Sequence, residues 1–258
     1  MTRLGHLFLE RNSRILNIYF TAGYPSLGDT VPVMEALQQS GVDIIELGMP
    51  YSDPLADGPV IQQSSMVALE NGMTIRHLLE QLKNFRKTIS LPVVLMGYMN
   101  PVMQYGFEKF CEEAAAVGVD GLIIPDLPEY EFETIYGSVL TRHGLDFIFL
   151  VTPETSDERI RKLDLLSNGF LYAVSSSSTT GTDKNMDEVG VYLRRLRAMN
   201  LRNPVMAGFG IRDKSTFDRA CLSASGAIIG SAFVQALEGS KDLPVTISKF
   251  IKGIRDEK

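Results

Sequence analysis

Short, almost wholly apolar runs recur along the chain, separated by longer segments that mix polar and apolar residues. The runs are Ile15–Phe20 (ILNIYF), Asp43–Leu47 (DIIEL), Pro92–Met96 (PVVLM), Asp120–Ile124 (DGLII), Asp146–Leu150 (DFIFL), Phe170–Val174 (FLYAV), Pro204–Ala207 (PVMA) and Ala227–Gly230 (AIIG). Strands of a parallel sheet read this way because both of their faces are covered. The intervening segments carry a helical period instead. Val33, Leu37 and Gly41 bracket one face of Thr30–Ser40 and the residue after it. Phe107, Phe110, Cys111 and Ala114 do so in Tyr105–Val117, and Val189, Leu193 and Leu196 in Val189–Met199. Eight strand-then-helix units in a chain of 258 residues predict an α/β fold of the closed (β/α)8 barrel type, one domain over residues 1–258. An open doubly wound sheet would carry a G-x-G-x-x-G turn after its first strand. That position reads Thr21-Ala22-Gly23-Tyr24-Pro25.

The junctions repeat as well. Gly41-Val42-Asp43, Gly118-Val119-Asp120 and Gly144-Leu145-Asp146 each precede a strand, with glycine expected to end the helix in the left-handed conformation. Pro92 and Pro204 open two other strands, at a position where a missing N–H costs little. Three segments exceed the basic repeat. Leu4–Glu10 is expected to cap the bottom of the barrel, Thr74–Lys87 to follow a helix at Pro59–Glu70, and Val245–Ile254 to form a last helix.

Composition removes several functional classes. The net charge is −6, a poor basis for binding nucleic acid through its phosphates. Two distant cysteines, Cys111 and Cys221, make neither a metal cluster nor a disulfide framework and suit a reducing compartment. The segment MTRLGHLFLERNSR interleaves charges with apolar residues, unlike a signal peptide, and no apolar run approaches membrane-spanning length. A cytoplasmic protein is expected. There is no tryptophan.

In a (β/α)8 barrel the chemistry sits at the strand C-termini and in the loops that follow. Glu46 is the one ionised residue inside the body of an otherwise apolar strand. It is either a structural carboxylate paired with a buried arginine, although no arginine lies in the eight runs, or a general acid/base whose pKa burial has raised. Asp57 follows eleven positions later, in a proline-stiffened loop that can fold over the mouth; a turn or helix-cap role competes. Asp53, before Pro54, reads first as a local turn residue. Gly208-Phe209-Gly210 and Gly230-Ser231 follow the last two runs, where backbone N–H groups and a helix N-terminus commonly hold phosphate; tight turns alone are the competing reading. The polar run Ser175 to Thr182 reads as a lid, with Gly181 offering an N–H to the phosphate, or as a surface loop.

Absences narrow the chemistry. His6, His77 and His143 lie away from the strand C-termini, so no histidine-ligated metal is expected, and no strand lysine offers a Schiff base. Carboxylate acid/base chemistry on a small phosphorylated substrate remains.

The residues from Glu46 to Pro59 (ELGMPYSDPLADGP) resemble the signature of the tryptophan synthase alpha chain family. The resemblance extends over the whole length, through Ile18 to Pro25 (IYFTAGYP), Gly121 to Pro128 (GLIIPDLP), Thr180-Gly181 and Gly208 to Ile211 (GFGI). It implies retro-aldol cleavage of indole-3-glycerol phosphate to indole and D-glyceraldehyde 3-phosphate, with Glu46 and Asp57 as catalytic residues. It implies substrate contacts from Tyr19, Tyr98, Tyr172 and Phe209, phosphate contacts from Gly181, Gly210, Gly230 and Ser231, and no cofactor in this chain. It further implies an α2β2 assembly with a beta chain that uses pyridoxal phosphate, contacted through the Pro50–Gly58 loop and the Asp126–Tyr130 region. Many members read Ser-Arg-x-Gly-Val-Thr-Gly in the lid; Ser176 stands here at the arginine position. An alpha-like subunit that only activates its partner is the alternative, and loss of Glu46 or Asp57 would have favoured it.

Overall fold

The first strand shows why the sheet forms where it does. All seven residues of β1 (Ile15–Thr21) are buried, as expected for a strand with neighbours on both edges and cover on both faces. A computed structural model describes residues 2–174 and 186–255. Its strands are β1, β2 (Ile44–Gly48), β3 (Val93–Met96), β4 (Gly121–Ile123), β5 (Asp146–Phe147), β6 (Leu150–Val151), β7 (Leu171–Ala173), β8 (Val205–Ala207) and β9 (Gly226–Ile229). Every ladder is parallel, in the order β5-β4-β3-β2-β1-β9-β8-β7-β6. The two ends of that order are consecutive in sequence, which closes the sheet into the expected (β/α)8 barrel.

That closure splits the fifth apolar run. Asp146 and Phe147 pair with β4, and the Ile148 N–H still donates to Leu122 O at 3.0 Å. From Phe149 onward the same stretch turns to β7, with Tyr172 N–H donating to Phe149 O at 3.0 Å. One stave of the barrel therefore consists of two short ladder segments.

The helices follow the period with two breaks. The helix expected over Tyr105–Val117 begins at Phe107, and Tyr105 instead ends a separate helix, Met99–Tyr105, because Gly106 between them has φ 98° and continues neither. The stretch Thr74–Lys87 becomes a helix over Ile75–Leu82 and a 3-10 turn over Phe85–Lys87. Pro59–Glu70 is helical as read, with proline in the first turn, where no donor is lost. Gly41, Gly118 and Gly144 all take positive φ at the helix-to-strand junctions.

The aspartates after those glycines build the barrel floor. Asp43 N–H donates to Leu16 O at 2.9 Å while its carboxylate accepts the Leu16 N–H at 2.8 Å. Asp120 repeats the pattern on Val93, at 2.9 and 2.8 Å. Each carboxylate is also held by two arginines: Arg11 and Arg255 on Asp43, Arg86 (2.5 Å) and Arg3 (3.1 Å) on Asp120. The leading helix, Arg3–Glu10, covers this floor as expected. Its Leu4 is fully buried against Gly169, and Thr2 at its N-cap donates to Asp146 at 2.5 Å. The floor is thus tied by charge, which leaves the opposite end of the strands for chemistry. Among the described residues no helix is long and apolar enough to cross a membrane.

Candidate active site

Strand register places the key carboxyl. Glu46 lies in the ladder directly opposite Tyr19 on one side and Val94 on the other, and none of its surface reaches solvent. Among the described residues no arginine pairs with it. Its Oε2 accepts the Asn17 Nδ2–H at 2.8 Å, and its Oε1 has no partner among the described residues. Burial raises its pKa to about 8; the Asn17 hydrogen bond lowers it, and nearby Asp57 raises it further. The carboxyl is therefore mostly protonated at neutral pH.

Asp57 arrives on the loop between β2 and the Pro59–Glu70 helix. Its N–H donates to Pro54 O at 3.0 Å, and its carbonyl accepts the Gln62 side-chain Nε2–H at 2.8 Å, so both main-chain polar groups of Asp57 are held. The helix N-cap is Gly58 and takes no side-chain cap, so the carboxylate of Asp57 is not spent on capping. Half-burial raises its pKa to about 6, and the Tyr98 hydroxyl opposes that rise. Tyr98 is buried; its oxygen accepts the Ala56 N–H at 3.1 Å, and its ring lies 5.3 Å from that of Tyr51. Asp53 is exposed and its carbonyl accepts the Leu55 N–H at 2.9 Å, a local turn.

Two further predicted residues converge on the two carboxyls. Tyr19 and Tyr172 are buried, and their hydroxyl pKa values rise, first through burial and then through the charges of Asp57 and Glu46. Gly230 lies beside Tyr19, its missing Cβ position 3.4 Å from the ring. Gly230 and Ser231 open the Ser231–Leu237 helix, whose first turn closes with Phe233 N–H on Gly230 O at 2.9 Å. Gly210 takes φ 64° with open space around its Cβ position. Phe209 is half-buried and stacks at 6.4 Å on Tyr192, a partner the sequence did not suggest. Gly181 and the Ser175–Thr182 run, including Ser176, lie outside the described residues.

Asn17 is the residue that sequence reading missed. It sits inside the run ILNIYF, two positions before Tyr19, so both face the same side of the strand. A lone amide in an apolar run was the available signal. Among the described residues no group of three or more His, Cys, Asp or Glu is placed to hold a metal ion.

A closed parallel barrel holding one carboxyl raised to about 8 and another raised to about 6 is suited to carboxylate acid–base chemistry, the class of enzyme this fold and site point to. The family model described as tryptophan synthase alpha chain matches residues 7–253. The tryptophan synthase alpha chain of Flavobacterium psychrophilum is 52% identical over 247 residues, 95% of this chain and 97% of that one. That of Parabacteroides distasonis is 48% identical over 256 residues, 99% of this chain and 100% of its own length. Among solved structures, the alpha chain from Legionella pneumophila superposes with a TM-score of 0.88 at 34% identity, covering 98% of this chain and 96% of that one. A chain of Mycobacterium tuberculosis tryptophan synthase in its aminoacrylate-bound form gives 0.85 at 35% identity, covering 99% and 100%. The chain belongs to the tryptophan synthase alpha chain family.

Proposed function

We propose that this chain cleaves indole-3-glycerol phosphate to indole and D-glyceraldehyde 3-phosphate, with Glu46 and Asp57 as its catalytic residues. The observation that carries the reading is the split between the two carboxyls, one raised to about 8 and the other to about 6. At pH 7 the first holds a proton and the second has mostly lost its own. The carbon–carbon bond breaks once indole C3 is protonated and the ring can accept the bonding pair. Neutral Glu46 delivers that proton. Ionised Asp57 stabilises the positive charge that develops at the ring N1–H. As the bond breaks, the electrons return to the indole ring, and the glycerol hydroxyl loses its proton to become the aldehyde. Glu46, now a carboxylate, takes that proton and is regenerated.

Tyr19, Tyr98, Tyr172 and Phe209 line the indole side, and Gly181, Gly210, Gly230 and Ser231 hold the phosphate through main-chain N–H groups and the Ser231 hydroxyl. Remote binding of the phosphate orients the reacting carbons. The whole of residues 1–258 serves as one domain. A beta chain receives the indole in a cytoplasmic α2β2 assembly; the pyridoxal phosphate bound there supplies the chemistry that joins indole to an amino-acid fragment. This chain needs no cofactor for its own step.

The test is to incubate the purified chain with indole-3-glycerol phosphate and assay indole, with and without a beta chain. Indole in either condition supports the reading. Stimulation of the beta reaction with no indole formed would instead make the chain a non-catalytic activator.

A further inference from the structure

Asn17 has no part in the cleavage as described, yet its placement is costly. It is wholly buried, inside a strand whose neighbouring residues are all buried. Its Oδ1 has no partner among the described residues, and neither does Oε1 of Glu46. Buried polar atoms are usually paired, and an apolar residue at position 17 would remove the orphaned acceptor. What the amide does provide is a single directed contact, Nδ2–H to Glu46 Oε2 at 2.8 Å. Tyr19 is the register partner of Glu46, and Asn17 lies two residues earlier on the same face, so the amide supports the carboxyl from the layer beneath it.

An amide N–H can only donate, so the oxygen it meets serves as the acceptor. In the neutral carboxyl this favours the proton on the other oxygen, Oε1. We propose that Asn17 is a positioning residue that fixes the plane of the Glu46 carboxyl and assigns its proton to Oε1, the oxygen left free for substrate. The inference rests on the reading of Glu46 as proton donor. The titratable groups around Glu46 are Asp57 from the loop after β2, Tyr19 from β1 and Tyr172 from β7. Asn17 is the group among the causes of the Glu46 shift that favours its charged form. It thereby keeps the carboxyl able to release its proton within the cycle.

The experiment compares Asn17→Val and Glu46→Gln with the unaltered chain, measuring indole formation against substrate concentration and pH. Asn17→Val is expected to lower kcat roughly tenfold to a hundredfold with KM little changed. The alkaline limb of its pH profile is expected to move up by about one unit. A merely structural asparagine would leave that limb in place. If Asn17→Val does not fold, Asn17→Ser, which is smaller and fits the same space, is expected to shift the limb in the same direction. An unshifted limb in the folded variant, with Glu46→Gln inactive, would overturn the inference alone. Sustained turnover in Glu46→Gln would overturn the reading of Glu46 on which it stands.

Discussion

The hydroxyl oxygen of Tyr19 occupies the space where a side chain on Gly48 would begin: a Cβ there would lie 2.2 Å from it. Tyr172 stands in the same relation to Gly208, its ring 2.0 Å from the missing Cβ. Both glycines sit at or just past a strand end, and each leaves an aromatic ring space that a side chain would fill. Gly48 does not adopt a positive φ, so alanine is acceptable to its backbone and only the ring must yield. Gly48→Ala is therefore expected to keep the fold and displace Tyr19, lowering kcat/KM by about a hundredfold. A circular dichroism melt alongside steady-state kinetics checks both halves; unchanged kinetics would mean that the ring position does not matter.

The pH profile of cleavage follows from the two carboxyls. The roles proposed for them require Asp57 ionised and Glu46 protonated in the free enzyme. kcat/KM is therefore expected to fall below about pH 6 and above about pH 8, the values to which burial brings them. A profile flat between pH 5 and 9 would contradict this assignment.

Glu46→Gln separates stability from activity. The unfolded chain ionises Glu46 near its ordinary 4.5, whereas the folded chain holds the proton until about 8. Stability from this group is thus fully present below about pH 4.5 and is lost as pH rises toward 8. The loss approaches about 1.4 kcal/mol per pH unit as an upper limit. The glutamine variant lacks this loss. It is expected to be inactive yet increasingly more stable than the parent between those pH values, as denaturant midpoints at pH 5 and pH 8 would record.

Tyr98→Phe bears on the other carboxyl. The tyrosine hydroxyl opposes the rise in the Asp57 pKa and accepts the Ala56 N–H. Removing it is expected to move the acidic limb of the profile upward from about 6 while the alkaline limb stays near 8. A shift of the alkaline limb alone would reverse the assignment of the two carboxyls.

The floor of the barrel should behave differently from its mouth. Asp43→Ala leaves the buried Leu16 N–H without its acceptor and separates Arg11 and Arg255 from their shared carboxylate. A loss of about 2 kcal/mol in stability is expected, with both limbs of the pH profile unmoved. Urea unfolding and the same kinetic titration check it.

How far the sequence reveals this molecule differs between its two ends. The buried placement of Glu46 was legible because one carboxyl in an apolar strand has few places to go. The closed barrel was legible because strands buried on both faces lose the alternation of exposed ones. The change of partner within Asp146–Val151 was hidden, since an apolar run looks the same whichever neighbour it pairs with. Gly106 was hidden inside a helical period that continues across it. Asn17 was absorbed into a run read for its hydrophobicity. The aspartates of the floor were visible as repeated junctions, but their arginine partners come from distant segments. Only folding brings Arg3, Arg11 and Arg255 to them.

The clamp on Asp43 also bears on how a newly made chain becomes a barrel. It joins the first strand, through Leu16, to arginines on either side of the entire set of strands. A chain emerging from the ribosome begins to organise from its leading end. Arg11 can meet Asp43 early, but Arg255 is translated only after all nine strands. The second half of this clamp therefore forms only on a chain whose every stave has already been synthesised.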